Sequence, residues 1–298
     1  MDALDIDILM NGYAETIVSI KEFIEDNYDK KGSGELNIRF INNEYIVDFD
    51  GELFCTNPGM TNLTNGAFRF GKVKEFNCPY RNELISLEGA PSECIMFDCS
   101  QCRKLRDLKG APQKCNAFDC MRCYGLTSLE GSPIECYTFN CVHCYKLHDL
   151  KGAPQKCNTF VCTECANLVS LKGAPQKCNI LNCSNCPILS SLEGAPEKCE
   201  KLLCSHCYGL TSLKGAPVKV NSFNCSYCHE LVSLEGAPRE CSTFVCKSCS
   251  KLTSLEDAPQ KCEKFICSYC DKLTVLAGVD EYCNEFYYEG CSGLNPFD

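Results

Sequence analysis

The sequence has no apolar run near the roughly 18 residues that a membrane-spanning helix needs. Its first residues also lack the basic stretch and the apolar stretch of a secretory signal peptide. Basic residues are in the minority, because 29 Lys and Arg against 39 Asp and Glu leave a net charge of −10. An acidic chain is a poor candidate for binding nucleic acid, because contact with the phosphates requires clustered Lys and Arg. We therefore expect neither a membrane nor a nucleic acid as partner.

Signatures of common catalytic sites are missing as well. The sequence holds no P-loop, no G-x-S-x-G and no H-E-x-x-H, and the glycines of residues 32–34 belong to a flexible turn. There are only four histidines. His206 precedes Cys207, but adjacent residues near a strand end point to different sides, which argues against a nucleophile pair. We expect no enzymatic activity.

Cysteine, in contrast, is abundant, with 30 in 298 residues. In a short secreted chain this content would indicate disulfides. Here the chain is long and lacks an export signal, so reduced thiols in the cytoplasm are the favoured interpretation. Secretion as an effector without a classical signal stays open as an alternative.

A 21-residue repeat organises most of the sequence. It has the form L-x-G-A-P-x-x-C-x-x-F-x-C-x-x-C-x-x-L-x-x. Its first leucine recurs without one insertion at Leu87, Leu108, Leu129, Leu150, Leu171, Leu192, Leu213, Leu234, Leu255 and Leu276. A strict period this short predicts a solenoid with one turn, or rung, per repeat, because a single turn cannot bury its own apolar face.

Each repeat contains a strand signal and a turn signal. Phe97 and Cys99 lie two residues apart, a spacing that predicts a short strand with both side chains inward. The Gly-Ala-Pro segment blocks a helix and favours an extended or turning backbone. Its glycine recurs from rung to rung as far as Gly278 and is replaced once, by Asp257. Since Asp tolerates positive φ, this replacement indicates a left-handed backbone at that position.

The motif C-x-x-F-x-C-x-x-C-x-x-L at residues 94–105 resembles the leucine-rich-repeat signature L-x-x-L-x-L-x-x-N/C. The L-x-G-A-P segment is similar to the return segment of short bacterial leucine-rich repeats. Runs such as LTSLEG at 126–131 and LTSLKGAP at 210–217 are more similar still to repeats of phage and bacterial proteins. The resemblance covers about residues 63–294. It implies an α+β repeat solenoid, a right-handed superhelix of mostly parallel strands that binds other proteins on its concave face.

The two ends of the chain depart from the repeat. Residues 13–28 place three isoleucines on one face of a helix. The segments LNIRFI and EYIVDF, separated by Asn42-Asn43, predict a β-hairpin. We expect residues 1–62 to form an N-terminal cap of helix and hairpin. Residues 63–298 are predicted to form a solenoid of about ten rungs with a degenerate first rung and a C-terminal cap.

Equivalent positions in successive rungs form columns, and three columns hold every cysteine except Cys55. The first column runs from Cys94 to Cys283, the second from Cys78 to Cys267, and the third from Cys102 to Cys291. Val220 interrupts the first column, so that position requires a small apolar group rather than a ligand. Disulfides along the stack fit poorly, because neighbouring strands lie about 4.8 Å apart and a bridge needs Cβ atoms about 3.8 Å apart. The cysteines therefore predict core packing, with the third column donating weakly to backbone carbonyls.

Recurring C-x-x-C pairs are also typical of zinc sites. Repetition on every rung, rather than in sets of two, favours core packing, and we expect no metal and no other cofactor. If a metal were bound, the ligands expected are Cys99, Cys102, Cys120 and Cys123. A thiol-rich metal-binding or redox protein is thus the main functional alternative.

One outward column of the strands changes character along the chain. It reads Asp98, Asp119, Asn140, Val161, Asn182, Leu203, Asn224, Val245, Ile266 and Tyr287. Branched and aromatic residues suit strands in any case, but a contiguous exposed apolar surface is uncommon on a monomer. The expected partner-binding residues are Val161, Leu203, Tyr227, Val245, Ile266, Tyr269 and Tyr287. The expected partner is another protein, and a structural role in a phage or other assembly is a further alternative.

Overall fold

The computed structural model describes residues 3–276, 279 and 283–294. This part of the chain contains one α-helix, α1 (Ala3–Asn27), and fourteen β-strands. The strands are β1 (Tyr28–Lys31), β2 (Asn37–Ile41), β3 (Glu44–Cys55), β4 (Phe68–Asn77), β5 (Glu93–Asp98), β6 (Lys114–Asp119), β7 (Glu135–Asn140), β8 (Lys156–Val161), β9 (Lys177–Asn182), β10 (Lys201–Leu203), β11 (Lys219–Asn224), β12 (Glu240–Val245), β13 (Lys261–Ile266) and β14 (Cys283–Tyr287).

All fourteen strands belong to a single sheet. From β3 to β14, each strand pairs in parallel with the next strand along the chain. The register follows the repeat, so that Phe97 pairs with Phe118 and Phe118 pairs with Phe139. The chain is a parallel β-solenoid of about eleven turns, which confirms the solenoid that the repeated leucines predicted.

The α+β class expected from the resemblance does not describe the rungs. Within the described residues α1 is the only helix, and it precedes the repeats. A complete rung consists of a strand of about six residues followed by turns and extended segments. Twenty-one residues leave no room for a strand and a long helix, so the protein is mostly β. No helix in the described part of the chain is long and apolar enough to cross a membrane.

The strands bend in the middle, which breaks the simple alternation of inward and outward residues. In β6, Cys115 and Phe118 are buried, whereas Asn116 is exposed and Ala117 is half-buried. The in-register pairing of β5 with β6 skips Asn116, which marks the position of the bend. After the bend the alternation resumes, because Phe118 and Cys120 both face the core. The inward direction predicted for the Phe and second cysteine columns is therefore confirmed.

Stacked phenylalanines and leucines form the core. The rings of Phe97 and Phe118 are nearly parallel with centroids 5.3 Å apart, and those of Phe118 and Phe139 follow at 5.2 Å. Such ladders arise because the strict register places the same side chain at the same depth in each rung. Leu181 and Leu202 occupy the Phe column in two rungs and are also fully buried.

The predicted left-handed backbone at the glycine column is confirmed. Gly110 and Gly173 have φ of +90° and +88°, and Asp257 has φ of +68°. Gly173 also lies close to the preceding rung, because a Cβ there would come within 2.7 Å of the backbone of Leu150. Gly278 lies outside the described residues.

A second left-handed column was not predicted. It immediately precedes the third cysteine column, and none of its first ten members is glycine: Tyr80, Gln101, Arg122, His143, Glu164, Asn185, His206, Tyr227, Ser248 and Tyr269. Their φ values lie between 55° and 63°. In this conformation the N–H of Gln101 donates to the carbonyl of Met121 in the next rung, at 2.7 Å. The inter-rung hydrogen bond holds a conformation that these residue types rarely adopt.

The N-terminal segment packs on the first turns of the stack. In α1, Ile20 and Ile24 are fully buried, and the Tyr28 hydroxyl donates to the carbonyl of Leu63 at 2.6 Å. The predicted hairpin is confirmed, with Asn42 and Asn43 at its turn in left-handed conformation. Since β3 also pairs in parallel with β4, the second hairpin strand begins the parallel stack. The division into residues 1–62 and 63–298 stays a prediction.

Candidate functional site

The third cysteine column forms a hydrogen-bonded ladder inside the stack. The Sγ of Cys102 lies 3.3 Å from the carbonyl oxygen of Cys78, to which it donates. Equivalent contacts to the preceding rung, at 3.2–3.4 Å, recur at Cys123, Cys144, Cys165, Cys186, Cys207, Cys228, Cys249, Cys270 and Cys291. The expectation that this column donates to backbone carbonyls is confirmed. Each thiol satisfies a carbonyl that the turn removes from water.

The four alternative metal ligands lie deep in this core. Cys99, Cys102, Cys120 and Cys123 are fully buried, and burial raises the pKa of Cys99 and Cys120 well above its usual value. The thiols of Cys102 and Cys123 donate to carbonyls, as does that of Cys120 to Asn140 at 3.3 Å. Across the described ranges, no group of three or more His, Cys, Asp or Glu side chains is arranged to hold a metal. All 30 cysteines are free thiols.

The first cysteine column differs from the other two, because it reaches the surface. The strand bend opens a groove of about 860 Å³ across β6–β9 and the segment that follows, called here the strand-bend groove. Cys115, Cys136, Cys157 and Cys178 lie on its floor and are 3–8% exposed, whereas the second and third columns are almost entirely at 0%. The prediction of plain core packing was therefore incomplete. A bend in the strand cannot be inferred from the spacing of the cysteines.

Charged residues border the strand-bend groove. Three successive rungs place a lysine at its rim: Lys156, Lys177 and Lys198. Lys156 forms an ion pair with Glu135, and Lys114, which also lines the groove, forms one with Glu93 at 3.6 Å. Exposed pairs of this kind add little stability, but they fix the charge pattern along the groove.

The outward strand column divides into two groups by what the side chains do. Asp98 Oδ1 accepts the backbone N–H of Ser100 at 2.8 Å, and Asn182 Oδ1 accepts that of Ser184 at 3.1 Å. The same contact is made by Asp119, Asn140 and Asn224. These Asp and Asn residues therefore close the turn after the strand. The polar first half of the column has a structural role that the sequence interpretation missed, although the Asx-x-Ser pattern signals it.

The apolar members of the column make no such turn contact, and the structure brings three of them together. Val245 pairs in register with Ile266, and Ile266 with Tyr287, so they lie side by side on three adjacent rungs. Val245 and Ile266 are half-buried and Tyr287 is 41% exposed. Leu203 is separated from Val245 by Asn224. Val161 lies further away, with Asn182 between it and Leu203.

The two remaining predicted residues, Tyr227 and Tyr269, lie in the left-handed turn column rather than on the strands. Both are exposed, at 41% and 57%. The ring of Tyr227 stacks on His206 with centroids 4.4 Å apart. The ring of Tyr208 stacks on His229 at 5.5 Å, which completes a cluster of four surface rings. The sequence interpretation did not predict this cluster, although the two members of each stacked pair are 21 residues apart, which would have indicated it.

Comparison with protein-family models, with curated proteins and with solved structures finds no match for this chain. Its function is therefore inferred from the surfaces that the solenoid presents. These are the outward apolar residues on β12–β14, the tyrosines of the adjoining turns, and the strand-bend groove.

Proposed function

We propose that the protein is a non-enzymatic scaffold that binds another protein through the outward face of its C-terminal strands. The observation that carries the proposal is the replacement of the turn-closing Asp or Asn by Val245, Ile266 and Tyr287 on three adjacent rungs. We call these three residues the apolar patch.

The replacement is informative because Val245 and Ile266 have no side-chain oxygen and so cannot close the turn as Asp or Asn does. Tyr287 has only a distant phenolic hydroxyl. At other rungs the Asp or Asn oxygen accepts a backbone N–H and closes the turn. In the rung that contains Val245, the equivalent N–H is that of Lys247, and it donates instead to Ser226 Oγ in the preceding rung, at 3.3 Å. The apolar side chains are left partly exposed to water, which favours burial against a partner.

The surroundings of the apolar patch match the usual organisation of a protein interface. An ion pair at its border joins Lys264 to Glu285 at 2.9 Å, and the Lys264 ammonium lies 4.8 Å from the centre of the Tyr287 ring. Exposed Tyr269 follows Ile266 in the adjoining turn. An apolar centre with aromatic residues and a charged rim suits an apolar segment of another protein.

The finer features implied by the resemblance belong to the same proposal. They are membership of the leucine-rich-repeat class, right-handed coiling, a concave binding face and a reducing location such as the cytoplasm. The third cysteine column supports membership of the leucine-rich-repeat class, because its thiols donate to backbone carbonyls at the position where leucine-rich repeats carry Asn or Cys. The 30 free thiols support the reducing location.

The test is the double variant Val245→Glu with Ile266→Glu, compared with Val169→Glu with Val232→Glu. Val169 and Val232 are 41% and 48% exposed but lie in the return segments, so they carry the same charge change on another face. Each variant and the wild type are immobilised, and the host proteins that they retain are quantified by mass spectrometry.

We expect both variants to melt within a few degrees of the wild type, because surface changes usually alter stability by about 0.5 kcal/mol or less. Only the apolar-patch variant should lose the retained partner, since a charge at the centre of an interface costs about 2 kcal/mol or more. Equal retention by all three proteins would exclude the patch as the binding surface. Unfolding of the patch variant alone would place Val245 and Ile266 in the core.

A further inference from the structure

Two thiols on the floor of the strand-bend groove lie unusually close together. Cys136 Sγ and Cys157 Sγ are 3.6 Å apart on adjacent rungs whose Cα positions pair in register. The same relationship holds for Cys94 and Cys115, with 3.5 Å between the sulfurs. These distances are shorter than the spacing of about 4.8 Å between neighbouring strands. The side chains of each pair therefore lean toward one another.

This geometry permits a disulfide that strand spacing alone argued against. A disulfide requires an S–S distance of about 2.05 Å and a Cα separation of about 4.4–6.8 Å, a range that includes the strand spacing. With the Cys136 and Cys157 sulfurs already at 3.6 Å, a shift of both side chains would suffice. Because the register prevents the backbones from adjusting freely, the bond would be strained and easily reduced again.

The Cys136–Cys157 pair is also more accessible than the core thiols beside it, and its hydrogen bond activates one of the two sulfurs. Cys136 and Cys157 are 8% and 3% exposed, whereas Cys141 and Cys162, which follow them in the second column, are at 0%. In the hydrogen bond between the two thiols either sulfur can be the donor; the bond lowers the pKa of the accepting thiol, against the effect of burial, and raises the pKa of the donating one. A lowered pKa increases the thiolate fraction, and the thiolate is the nucleophile. Either cysteine can thus be the attacking thiol, and its partner is then the resolving one.

We propose that Cys136 and Cys157 form a dithiol site in the strand-bend groove that hydrogen peroxide oxidises reversibly to a disulfide. The thiolate of one cysteine attacks one peroxide oxygen, so that an S–O bond forms, the O–O bond breaks and hydroxide leaves, which gives a sulfenic acid. The sulfur of the other cysteine then attacks the sulfenic sulfur, the S–S bond forms, and the S–O bond breaks. Two thiols are oxidised while one peroxide is reduced to two waters, with the thiol protons taken up by the leaving hydroxides. The site is independent of the apolar patch.

The experiment treats the fully reduced, folded protein with one equivalent of hydrogen peroxide. Remaining thiols are alkylated in denaturant, and tandem mass spectrometry of the digest identifies the linked cysteines. The expected first product is a Cys136–Cys157 link that a dithiol reductant removes. It should form about tenfold or more faster than any product at Cys141 or Cys162, because these buried thiols are inaccessible.

Valine variants of the first cysteine column should fold, because Val220 already occupies this column and is buried. Cys157→Val should abolish the link. Cys199→Val is the matched control, because the Cys199 thiol makes the same two carbonyl contacts as that of Cys157 but lies two rungs away from it, and this variant should form the link at the wild-type rate. The proposal is overturned if core cysteines oxidise first. It is also overturned if the Cys136–Cys157 link appears only after unfolding in urea, or if Cys199→Val suppresses it as strongly as Cys157→Val.

Discussion

The thiol of Cys123 donates a hydrogen bond to the carbonyl oxygen of Cys99 in the preceding rung, with 3.2 Å between sulfur and oxygen. Both residues are fully buried. The contact links a side chain of one turn to the backbone of the previous turn, and its repetition connects the rungs through the interior. A hydrogen-bond donor in the third cysteine column therefore helps to hold adjacent rungs together.

Substitutions of Cys123 should separate the loss of the thiol from the introduction of charge. Cys123→Ser keeps a donor of similar size and should lower the free energy of unfolding by less than about 1.5 kcal/mol. Cys123→Asp places an uncompensated charge in the core and should lower it by about 3–5 kcal/mol. Urea unfolding followed by circular dichroism measures both values. Equal and mild losses would show that the third column is not buried.

Replacing Ser248, in the second left-handed column, by glycine should stabilise the fold, whereas glycine substitutions usually destabilise. Its φ is +55°, and Gly290 occupies the same column with φ of +70°. Ser248→Gly should raise the free energy of unfolding by about 0.5–1 kcal/mol, because glycine adopts positive φ without steric cost. Ser248→Val should lower it by about 1–2 kcal/mol, because a β-branched residue is strained there. Thermal melting of the two variants gives the signs, and destabilisation by glycine would contradict the assigned backbone conformation.

Asp119 should make stability depend on pH. Burial, followed by the nearby Asp98 carboxylate, raises the pKa of Asp119, although the N–H of Met121 that it accepts opposes the shift. The folded chain therefore holds this proton more tightly than the unfolded chain. The resulting stability is complete below the ordinary Asp pKa of about 3.9 and is lost as the pH rises through the raised value.

Asp119→Asn should remove the unfavourable burial of an ionised carboxylate at neutral pH. It should keep the turn, because Asn140 fills the same column and accepts the equivalent N–H. We expect a gain on the order of 0.5 kcal/mol at pH 7, as for removal of a like-charge pair on adjacent strands. The gain should disappear near pH 3, where the carboxyl is largely protonated in both states. Urea titrations at the two pH values measure it, and a gain of the same size at both would rule out the electrostatic origin.

Deleting residues 1–62 should expose the apolar end of the stack. Tyr28 packs edge-on against Phe70 at 5.4 Å between ring centroids, and Phe70 and Phe76 are fully buried. Without this cover, the truncated protein should aggregate or associate end to end, which light scattering detects.

A pair of point variants in α1 controls for the size of this deletion. Ile20→Asp charges a fully buried position and should loosen the cover, whereas Val18→Asp changes a residue that is 54% exposed and should have little effect. A monomeric truncated protein with unchanged melting would show that residues 1–62 are a separate module. The predicted domain division would then gain a functional meaning.

Local signals in the N-terminal segment were strong enough to predict its elements but not their extent. The isoleucine spacing predicted a helix from residue 13, and α1 begins at Ala3, since helix ends depend weakly on the apolar face. The Asn42-Asn43 pair predicted its turn correctly, because two residues of positive φ favour asparagine. That β3 would also pair in parallel with β4 requires contacts between distant segments, which no local pattern encodes.

The outward column shows the same limit at the candidate site. Alternation correctly placed Val245, Ile266 and Tyr287 outward, and the period placed them on adjacent rungs. It did not reveal that Asp98 and its polar equivalents close turns, because that role depends on the direction of one backbone N–H.

By itself, the sequence determined the length of each rung, the register between rungs and which residues face the core. A strict period imposes the same environment on equivalent positions, so these properties follow from the repeat alone. Only the tertiary structure decided which cysteine column reaches solvent and which sulfurs meet. The bend in each strand turns Cys136 and Cys157 toward a groove, while the turn that follows directs Cys123 and its equivalents at carbonyls inside the stack. The same residue type at the same spacing thus acquires different chemistry, because solvent access and hydrogen-bond partners depend on the path of the backbone between the cysteines.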